Sequence, residues 1–532
     1  MRFCNGVAHP LGREHLKEID MRLSRSFVVM AASLAVLVST SAAQTSAAGI
    51  DTSNGHDSVP SLANFTKLAD FGNGNGEYPN APLAQGTDGN LYGTTQNGPW
   101  PSNGFAFKMT LGGTFSTFDY ACTENDCTGH QPYAGLELAS DGNFYGTTYE
   151  GGDGAYRSSS RYPGGTVLQL NPEGGLNTIY SFCSLVACDD GDDPFSPLVQ
   201  GSDGNFYGVT PDGGVNNLGT VFSVTTDGTL TTLHSFASTE GNTPYGGLMQ
   251  ASDGNFYGTT GDGGSGANCT DEGGCGTIFK ITSEGTLTTL YNFCGQTNCA
   301  DGYYPRGSLI QATDGNLYGV TIYGGANTKS GSPNYGTVFE ITTAGVFTSL
   351  YSFCALTNCA DGYAPAGILQ ATDGNFYGAT YYGGASYYGT LFKLTSAGVL
   401  STLHDFCPKG GEHCTDGEYP ESLVQATDGD FYGVAGQGGH SGHGTAFKVS
   451  VGLSAFVETV TASGAAGSSV IILGTNMTGA SSVTFNGAAA AFTLVSSTEI
   501  TATVPSRATT GPVVVTTPKG KLTSNKSFTI SD

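Results

Sequence analysis

The chain has 532 residues, enough for a large core and more than one domain, and carries a formal net charge of −25. That sign of field excludes nucleic acid and anionic bilayer surfaces as partners. Glycine supplies 82 residues with no Gly-X-Y period and aromatics reach 11%, which excludes collagen and plain disorder and leaves a fold with many tight turns.

Arg22 and Arg25 precede an apolar stretch over 27–38 and the small-residue run Ser41-Ala42-Ala43. This is the three-part pattern of a secretory signal peptide, with cleavage expected after Ala43, and it is too short for a membrane span. Met21 stands where such a signal normally starts; the alternative is an unusually long n-region. Without residues 1–43 the chain keeps 14 basic against 41 acidic residues, a net of −27. The expected product is secreted or held at the cell surface, with no membrane insertion after cleavage. Residues 44–64 read as a linker.

Between Gln85 and Gly433 one phrase recurs seven times: Asp-Gly-Asn (Asp-Gly-Asp once), then an apolar or aromatic residue, then Tyr-Gly. Its aspartates are Asp88, Asp141, Asp203, Asp253, Asp314, Asp373 and Asp428, at intervals of 53, 62, 50, 61, 59 and 55 residues. A period of this size marks an architecture of stacked copies, none able to bury its apolar face alone. Each copy holds four β segments, for example 308–312 (A), 316–321 (B), 336–342 (C) and 346–353 (D), with X-Gly connections that favour tight hairpins. Four-stranded meanders repeated radially are the blades of a β-propeller. Segments A, B and C occur seven times, but only six D segments follow a C segment. The seventh stands at the front, over 65–71, where it can pair with 444–449, close the ring and remove two exposed edges. The expectation is therefore all-β: a seven-bladed propeller over 65–451 closed by an N-terminal strand. In a meander the A–B and C–D turns share one face. The B–C loops and D-to-A links share the other, and they carry the insertions, so a binding site is expected there.

Twelve cysteines after Cys4 fall into close pairs: Cys122/Cys127, Cys183/Cys188, Cys269/Cys275, Cys294/Cys299, Cys354/Cys359 and Cys407/Cys414. An even count in an exported chain favours six disulfides, and these spacings are wider than the Cys-x-x-Cys hooks zinc usually needs.

From 454 to 532 the pattern changes to short alternating strands between Gly, Asn and Pro turns, an immunoglobulin-like β-sandwich without the Cys…Trp…Cys core of antibody domains. Both parts resemble known families. Gly-Thr-Val-Phe-Glu-Ile at 336–341 and Asp-Gly-Asn-Phe-Tyr-Gly at 373–378 are similar to the GloVer (Gloeobacter–Verrucomicrobia) tandem repeat of bacterial "choice-of-anchor" surface proteins. The tail resembles an IPT/TIG domain through Gly474-Thr475-Asn476 and Val483-Thr484-Phe485-Asn486-Gly487. The resemblance implies a surface protein and supplies no catalytic residues; the sorting tail that usually comes after the repeats has no counterpart before Asp532.

Four residue sets invite chemistry. Asp and Asn oxygens in the repeated turns suit calcium, but a hairpin with glycine at positive φ accounts for every copy. Four residues before the proline that leads into each A segment stand Asn75, Thr128, Asp190, Glu240, Asp301, Asp361 and Asp416, each followed by glycine. They read as capped turns. The alternative is calcium at Asp190, Asp192, Asp301, Asp361 and Asp416, densest where Asp189 to Asp193 crowd together; no other cofactor is implied. His440 and His443 with His413 form a candidate three-nitrogen metal set in a glycine-rich loop, whereas His234 and His404 replace a strand-D tyrosine and point to packing.

The fourth set is aromatic. Trp100, Tyr149, Tyr156, Tyr162, Tyr323, Tyr335, Tyr381, Tyr382, Tyr387 and Tyr388 lie in B–C loops among Gly, Ser and Asn, offering flat faces for sugar rings, with Arg306 among the few basic residues nearby. The competing reading is that these tyrosines fill gaps between blades. The sequence thus points to a non-enzymatic binder of neutral extracellular glycan or of a cell-envelope component. The rivals are a propeller enzyme (polysaccharide lyase, glycosidase or lactonase) and a purely structural envelope protein. No Gly-x-Ser-x-Gly, phosphate loop or His-Glu-x-x-His motif is present.

Overall fold

Seven four-stranded antiparallel sheets, each in the order A-B-C-D, carry the seven copies of the phrase in the computed structural model. It describes residues 63–531 apart from 73, 99–103, 120–121, 124–125, 128, 154–163, 270–273, 328–334 and 410–413. The expected leader and most of the linker lie outside the described residues. Blade 5 runs Tyr303–Gln311, Leu317–Tyr323, Thr337–Ile341 and Phe347–Ser352. Blade 7 takes its A, B and C strands from Glu418–Gln425, Phe431–Gln437 and Thr445–Ser450, and its D strand from Asn64–Asp70 at the front of the chain. Phe65 faces Val449 across that ladder, and its ring lies on His404 at 3.7 Å. The propeller is closed as its strand count requires.

Every member of the phrase has a packing reason. The aspartate accepts the hydroxyl of the tyrosine four residues on, as Tyr257 to Asp253 at 2.8 Å and Tyr432 to Asp428 at 2.8 Å. That tyrosine ring lies on the residue opening strand B of the next blade: Tyr145 on Phe206 at 4.0 Å, Tyr207 on Phe256 at 4.0 Å, Tyr377 on Phe431 at 4.3 Å. Stacked rings add about 0.5–1.5 kcal/mol beyond their burial. The glycine after the tyrosine is required because a strand-C phenylalanine crosses it: a Cβ on Gly319 would stand 2.6 Å from Phe339 Cζ. One expectation needs correction. The A–B connection is a three-residue loop, with Ala312 N–H on Asn316 O and Gly315 N–H on Ala312 O, not a two-residue turn.

A glutamine late in strand A ties each blade to the hairpin of the one before. Gln200, Gln250, Gln311, Gln370 and Gln425 each accept a backbone N–H from the preceding turn, and Gln85 accepts from Thr427 N at 2.8 Å across the closing seam. Blade 2 alone has Leu138 at this register. The C-terminal domain docks at that exception. Its Leu473, Ile471 and Val460 join Leu138, Tyr92 and Leu170 in one apolar cluster, and Thr498 Oγ1 donates to Thr87 O at 2.8 Å. Thr475 and Thr427 share a hydroxyl contact of 2.9 Å on blade 7. This domain is one strand path that turns through the long Gly520–Ser531, with Ser463–Ala465 paired to that strand off the path, around a core of Ile472, Phe485, Ile500, Val513 and Phe528.

Three charged groups come together at the seam. Burial pushes Glu137 up to about 7, Gln200 and Lys526 opposing and Glu458 adding; Glu458 is itself raised by burial. An acid whose folded pKa exceeds its unfolded value near 4.5 stabilises fully below about pH 4.5, and that contribution is lost as pH rises through about 7. Glu137→Gln should therefore match the parent near pH 4.5 and exceed its Tm by a few degrees at pH 8, in thermal melts across pH. For ring closure, Phe65→Ala should lower unfolding free energy by about 3 kcal/mol in denaturant titrations.

Candidate functional site

The links from strand D to the next strand A build the decorated face. Four of them hold disulfides, Cys183–Cys188, Cys294–Cys299, Cys354–Cys359 and Cys407–Cys414, and Cys269–Cys275 braces a B–C loop. Cys122 stands opposite Cys127 in the backbone ladder, but their side chains lie outside the described residues.

The ring of polar residues caps these links. Asp361 accepts from Tyr351 Oη at 2.8 Å, Ala355 N at 2.8 Å and Leu356 N at 3.1 Å. Asp301 does the same for Tyr291, Gly295 and Gln296, and Asp190 for Tyr180, Ser184 and Leu185. Where strand D carries histidine, His404 meets Asp416 and His234 meets Glu240, each at 3.0 Å. The candidate calcium ligands Asp190, Asp301, Asp361 and Asp416 are thus each engaged inside separate links by donors a cation would have to displace. Asp192 pairs through its backbone with Asp212, and Asp193 lies beside Tyr149. His413 lies outside the described residues, and His443 sits 3.6 Å from Glu77 under Tyr78.

A different register gathers at the propeller axis. The residue preceding each entry proline is in the left-handed region in all seven blades: Tyr78, Gln131, Asp193, Thr243, Tyr304, Ala364 and Tyr419, with φ of 50–57°. A pre-proline position normally avoids this conformation, so the geometry is strained. It is held because the N–H reaches a B–C loop of the preceding blade, as Tyr304 to Cys275 O at 3.0 Å and Tyr78 to His443 O at 2.9 Å. The kink aims the residue after the proline inward, giving Asn80, Tyr133, Phe195, Tyr245, Arg306, Ala366 and Glu421.

Their side chains form a belt, aided by Gln96 and Tyr381 from strand-B ends. Asn80 donates to Gln96 (3.1 Å), Gln96 to Tyr133 Oη (2.6 Å), and Tyr133 stacks on Phe195 (4.8 Å). Arg306 reaches across between Phe195 of blade 3 and Tyr381 of blade 6, at 5.8 and 5.7 Å from the ring centroids. Tyr381 Oη donates to Glu421 Oε2 at 2.6 Å. All these side chains keep some solvent-accessible surface, as the lining of an axial opening would. Burial pushes the Glu421 carboxyl up to about 7, against the Tyr381 hydrogen bond and the Arg306 charge. A carboxyl at that value can give or take a proton near neutrality.

Outside the belt, tyrosines of blades 5 to 7 run ring against ring. Tyr335 meets Tyr363 (5.8 Å), Tyr363 stacks on Tyr382 (5.4 Å), Tyr382 meets Tyr419 (5.4 Å), and Tyr419 meets Tyr388 (6.0 Å). Tyr303 and Tyr304 flank Tyr323 at 5.3 and 5.8 Å. Of the expected binding residues, Tyr323, Tyr335, Tyr382 and Tyr388 fall in this rim, and Tyr387 is exposed beside it. Tyr381 is turned inward to Glu421 rather than outward, and Arg306 is axial. Tyr149, at the strand-B register of Gln96 and Tyr381, packs edge-on against the belt residues Tyr133 and Phe195. Trp100, Tyr156 and Tyr162 lie outside the described residues. Sequence reasoning missed Glu421, Tyr245 and Tyr133; the signal was the position after each entry proline, which varies while the proline itself repeats in every blade.

Fold and face together define a closed seven-bladed propeller with an aromatic, loop-built opening and an immunoglobulin-like domain docked on its plain side. The chain belongs to the Gloeobacter/Verrucomicrobia repeat family, whose model matches residues 57–185, 101–332 and 327–489. Residues 455–530 match the IPT/TIG domain. No curated protein matches the chain. Among solved structures it is similar to a fungal alcohol oxidase of the AA5 family in complex with copper, at 12% identity and TM-score 0.47, over 88% of this chain and 99% of that one. It is also similar to a putative gluconolactonase (12% identity, TM-score 0.31, 55% and 82% covered) and a luciferin-regenerating enzyme (12%, 0.34, 60% and 92%). Identity this low transfers no chemistry.

The belt makes a proton-level prediction. The Tyr381 hydroxyl stabilises the ionised form of Glu421, so Tyr381→Phe should raise the carboxyl's pKa above the parent value, read by NMR titration of labelled glutamate side chains. An unchanged or lowered value would mean that this hydrogen bond does not form in solution. For the capped links, Asp361→Ala leaves three donors unmet and should cost roughly 3 kcal/mol of stability in denaturant unfolding.

Proposed function

We propose that this protein is a secreted or surface-held binder of neutral glycan, which it grips through the tyrosine rim and axial opening of the loop-bearing face. The repeat family, the IPT/TIG domain and the propeller fit a surface or binding protein. Five disulfides fit an oxidising, extracellular setting, and no described helix is long and apolar enough to cross a membrane. The observation that carries the glycan reading is the run of tyrosine rings around one opening. Tyr335, Tyr382, Tyr419 and Tyr388 keep accessible surface around a buried Tyr363, and such rings offer an apolar face with a polar edge, the chemistry that matches a pyranose. The strongly acidic chain repels polyanions, which favours uncharged sugars.

A catalytic reading has one observation in its favour, a Glu421 carboxyl near 7. The groups that bear on it are Tyr381 and Arg306, not the second carboxylate that glycoside hydrolysis ordinarily uses. Binding is therefore the reading preferred.

On an array of neutral glycans the mature chain should retain at least one ligand intact after prolonged incubation. The double variant Tyr382→Ala with Tyr419→Ala should weaken that ligand at least about tenfold by calorimetry, with far-UV circular dichroism unchanged. Cleavage products would favour the enzyme, and an empty array would remove the glycan reading.

A further inference from the structure

The centre of the face differs in kind from its rim. Arg306 offers five N–H donors. Among the described residues its neighbours are ring faces, with no acceptor at hydrogen-bonding distance and no carboxylate at ion-pair distance. Glu421 uses Oε2 for Tyr381, and its Oε1 has no described partner. Donor and acceptor thus share one opening, near enough to influence each other's charge but outside the 4.0 Å of an ion pair. The guanidinium keeps solvent access, so water can meet it in the free protein, and a ligand that displaces that water has to supply acceptors of its own.

The chemistry of that something is narrow. A carboxylate ligand would suit Arg306 but meet Glu421, with Asp212 and Asp262 close enough to act on Tyr245 beside it. An ammonium would meet Arg306 itself. A hydroxyl both accepts and donates, so a neutral polyol can satisfy both groups at once. The direction of approach is limited too. One residue below the belt, neighbouring inner strands close together: a Cβ on Gly246 would lie 2.5 Å from Gly307 O, and one on Gly247 would lie 2.6 Å from Ser308 Oγ. Arg306 already spans from blade 3 to blade 6. Arg306 thus lies across the path of a chain entering from the loop face.

Resting on the glycan reading above, we propose that the axial opening receives the end of the glycan, one terminal neutral sugar whose hydroxyls accept from Arg306 and donate to Glu421, while the tyrosine rim holds the units behind it.

The test uses the mature full-length chain and a probe panel of linear neutral six-unit gluco-, manno-, xylo- and galacto-oligosaccharides. Each is paired with its long soluble polymer, and a cyclic gluco-oligosaccharide serves as an endless control. Calorimetry should find one protein per chain end, so that lengthening a polymer adds no sites, and the cyclic probe should not bind. Arg306→Met and Glu421→Gln should each weaken the best linear probe about tenfold or more, with melting curves confirming the fold. Binding at many sites per polymer, or full affinity in both variants while the rim variant loses it, would overturn end recognition and leave the glycan reading standing. No binding by any probe in the parent chain would overturn both. If Arg306→Met does not fold, the stoichiometry on the parent chain and the Glu421→Gln comparison still decide.

Discussion

A tyrosine ring resting on the first residue of the neighbouring blade's second strand is the contact on which the toroid depends. It occurs at every seam, with phenylalanine as the partner at five and leucine at Leu317 and Leu91. The aspartate that opens each phrase fixes the ring by its hydroxyl, and the glycine that ends it lets a strand-C phenylalanine cross underneath in every blade but the second. The phrase therefore recurs because one blade cannot bury its faces alone. What is constant in the copies is packing, and function has to reside in what varies.

Variation is concentrated at two places, and they lie on opposite faces. On the plain side, six glutamines each grasp the preceding hairpin, and blade 2 substitutes Leu138. The loss of one hydrogen-bonding side chain exposes an apolar spot, which the C-terminal domain covers with Leu473, Ile471 and Val460. The domain's position is thus set by an exception in the repeat. Its presence over blades 7, 1 and 2 leaves the loop-bearing side as the face on which disulfide-braced links and B–C loops surround an approachable opening.

Much of this was legible in the sequence. Counting six trailing D segments against seven C segments was enough to require that residues 65–71 complete blade 7, because an open sheet edge is unfavourable and the missing strand had only one source. The meander rule then sorted loops onto faces. Less legible was anything set by partners far apart in sequence. The capping role of Asp361 depends on Tyr351, ten residues earlier on a strand, and the histidines at 234 and 404 keep that role by donating to Glu240 and Asp416. Loop tyrosines looked equivalent on paper, yet Tyr381 turns to the axis and Tyr382 to the rim, with Tyr149 on the axial belt at the register of Tyr381. Alternation along strand B decides between the first two, and side-chain direction at a strand end cannot be read from composition.

The seven strained residues before the entry prolines explain how one scaffold can carry different sites. Positive φ at a β-branched residue such as Thr243 is costly, and it persists because the N–H is claimed by the preceding blade and the proline ring locks the next φ. The strain is thus imposed by the ring as a whole rather than by any ligand. Its consequence is that the side chain after the proline points at the axis whatever its identity. Asparagine, tyrosine, phenylalanine, arginine, alanine and glutamate all occupy the same station in different blades without disturbing the strands that present them. A change of ligand needs only substitutions at these stations, where no blade-to-blade ladder is at stake. On the proposed glycan reading, the guanidinium and the carboxyl at two of these stations answer to what enters the opening, while the strands that present them answer to the ring.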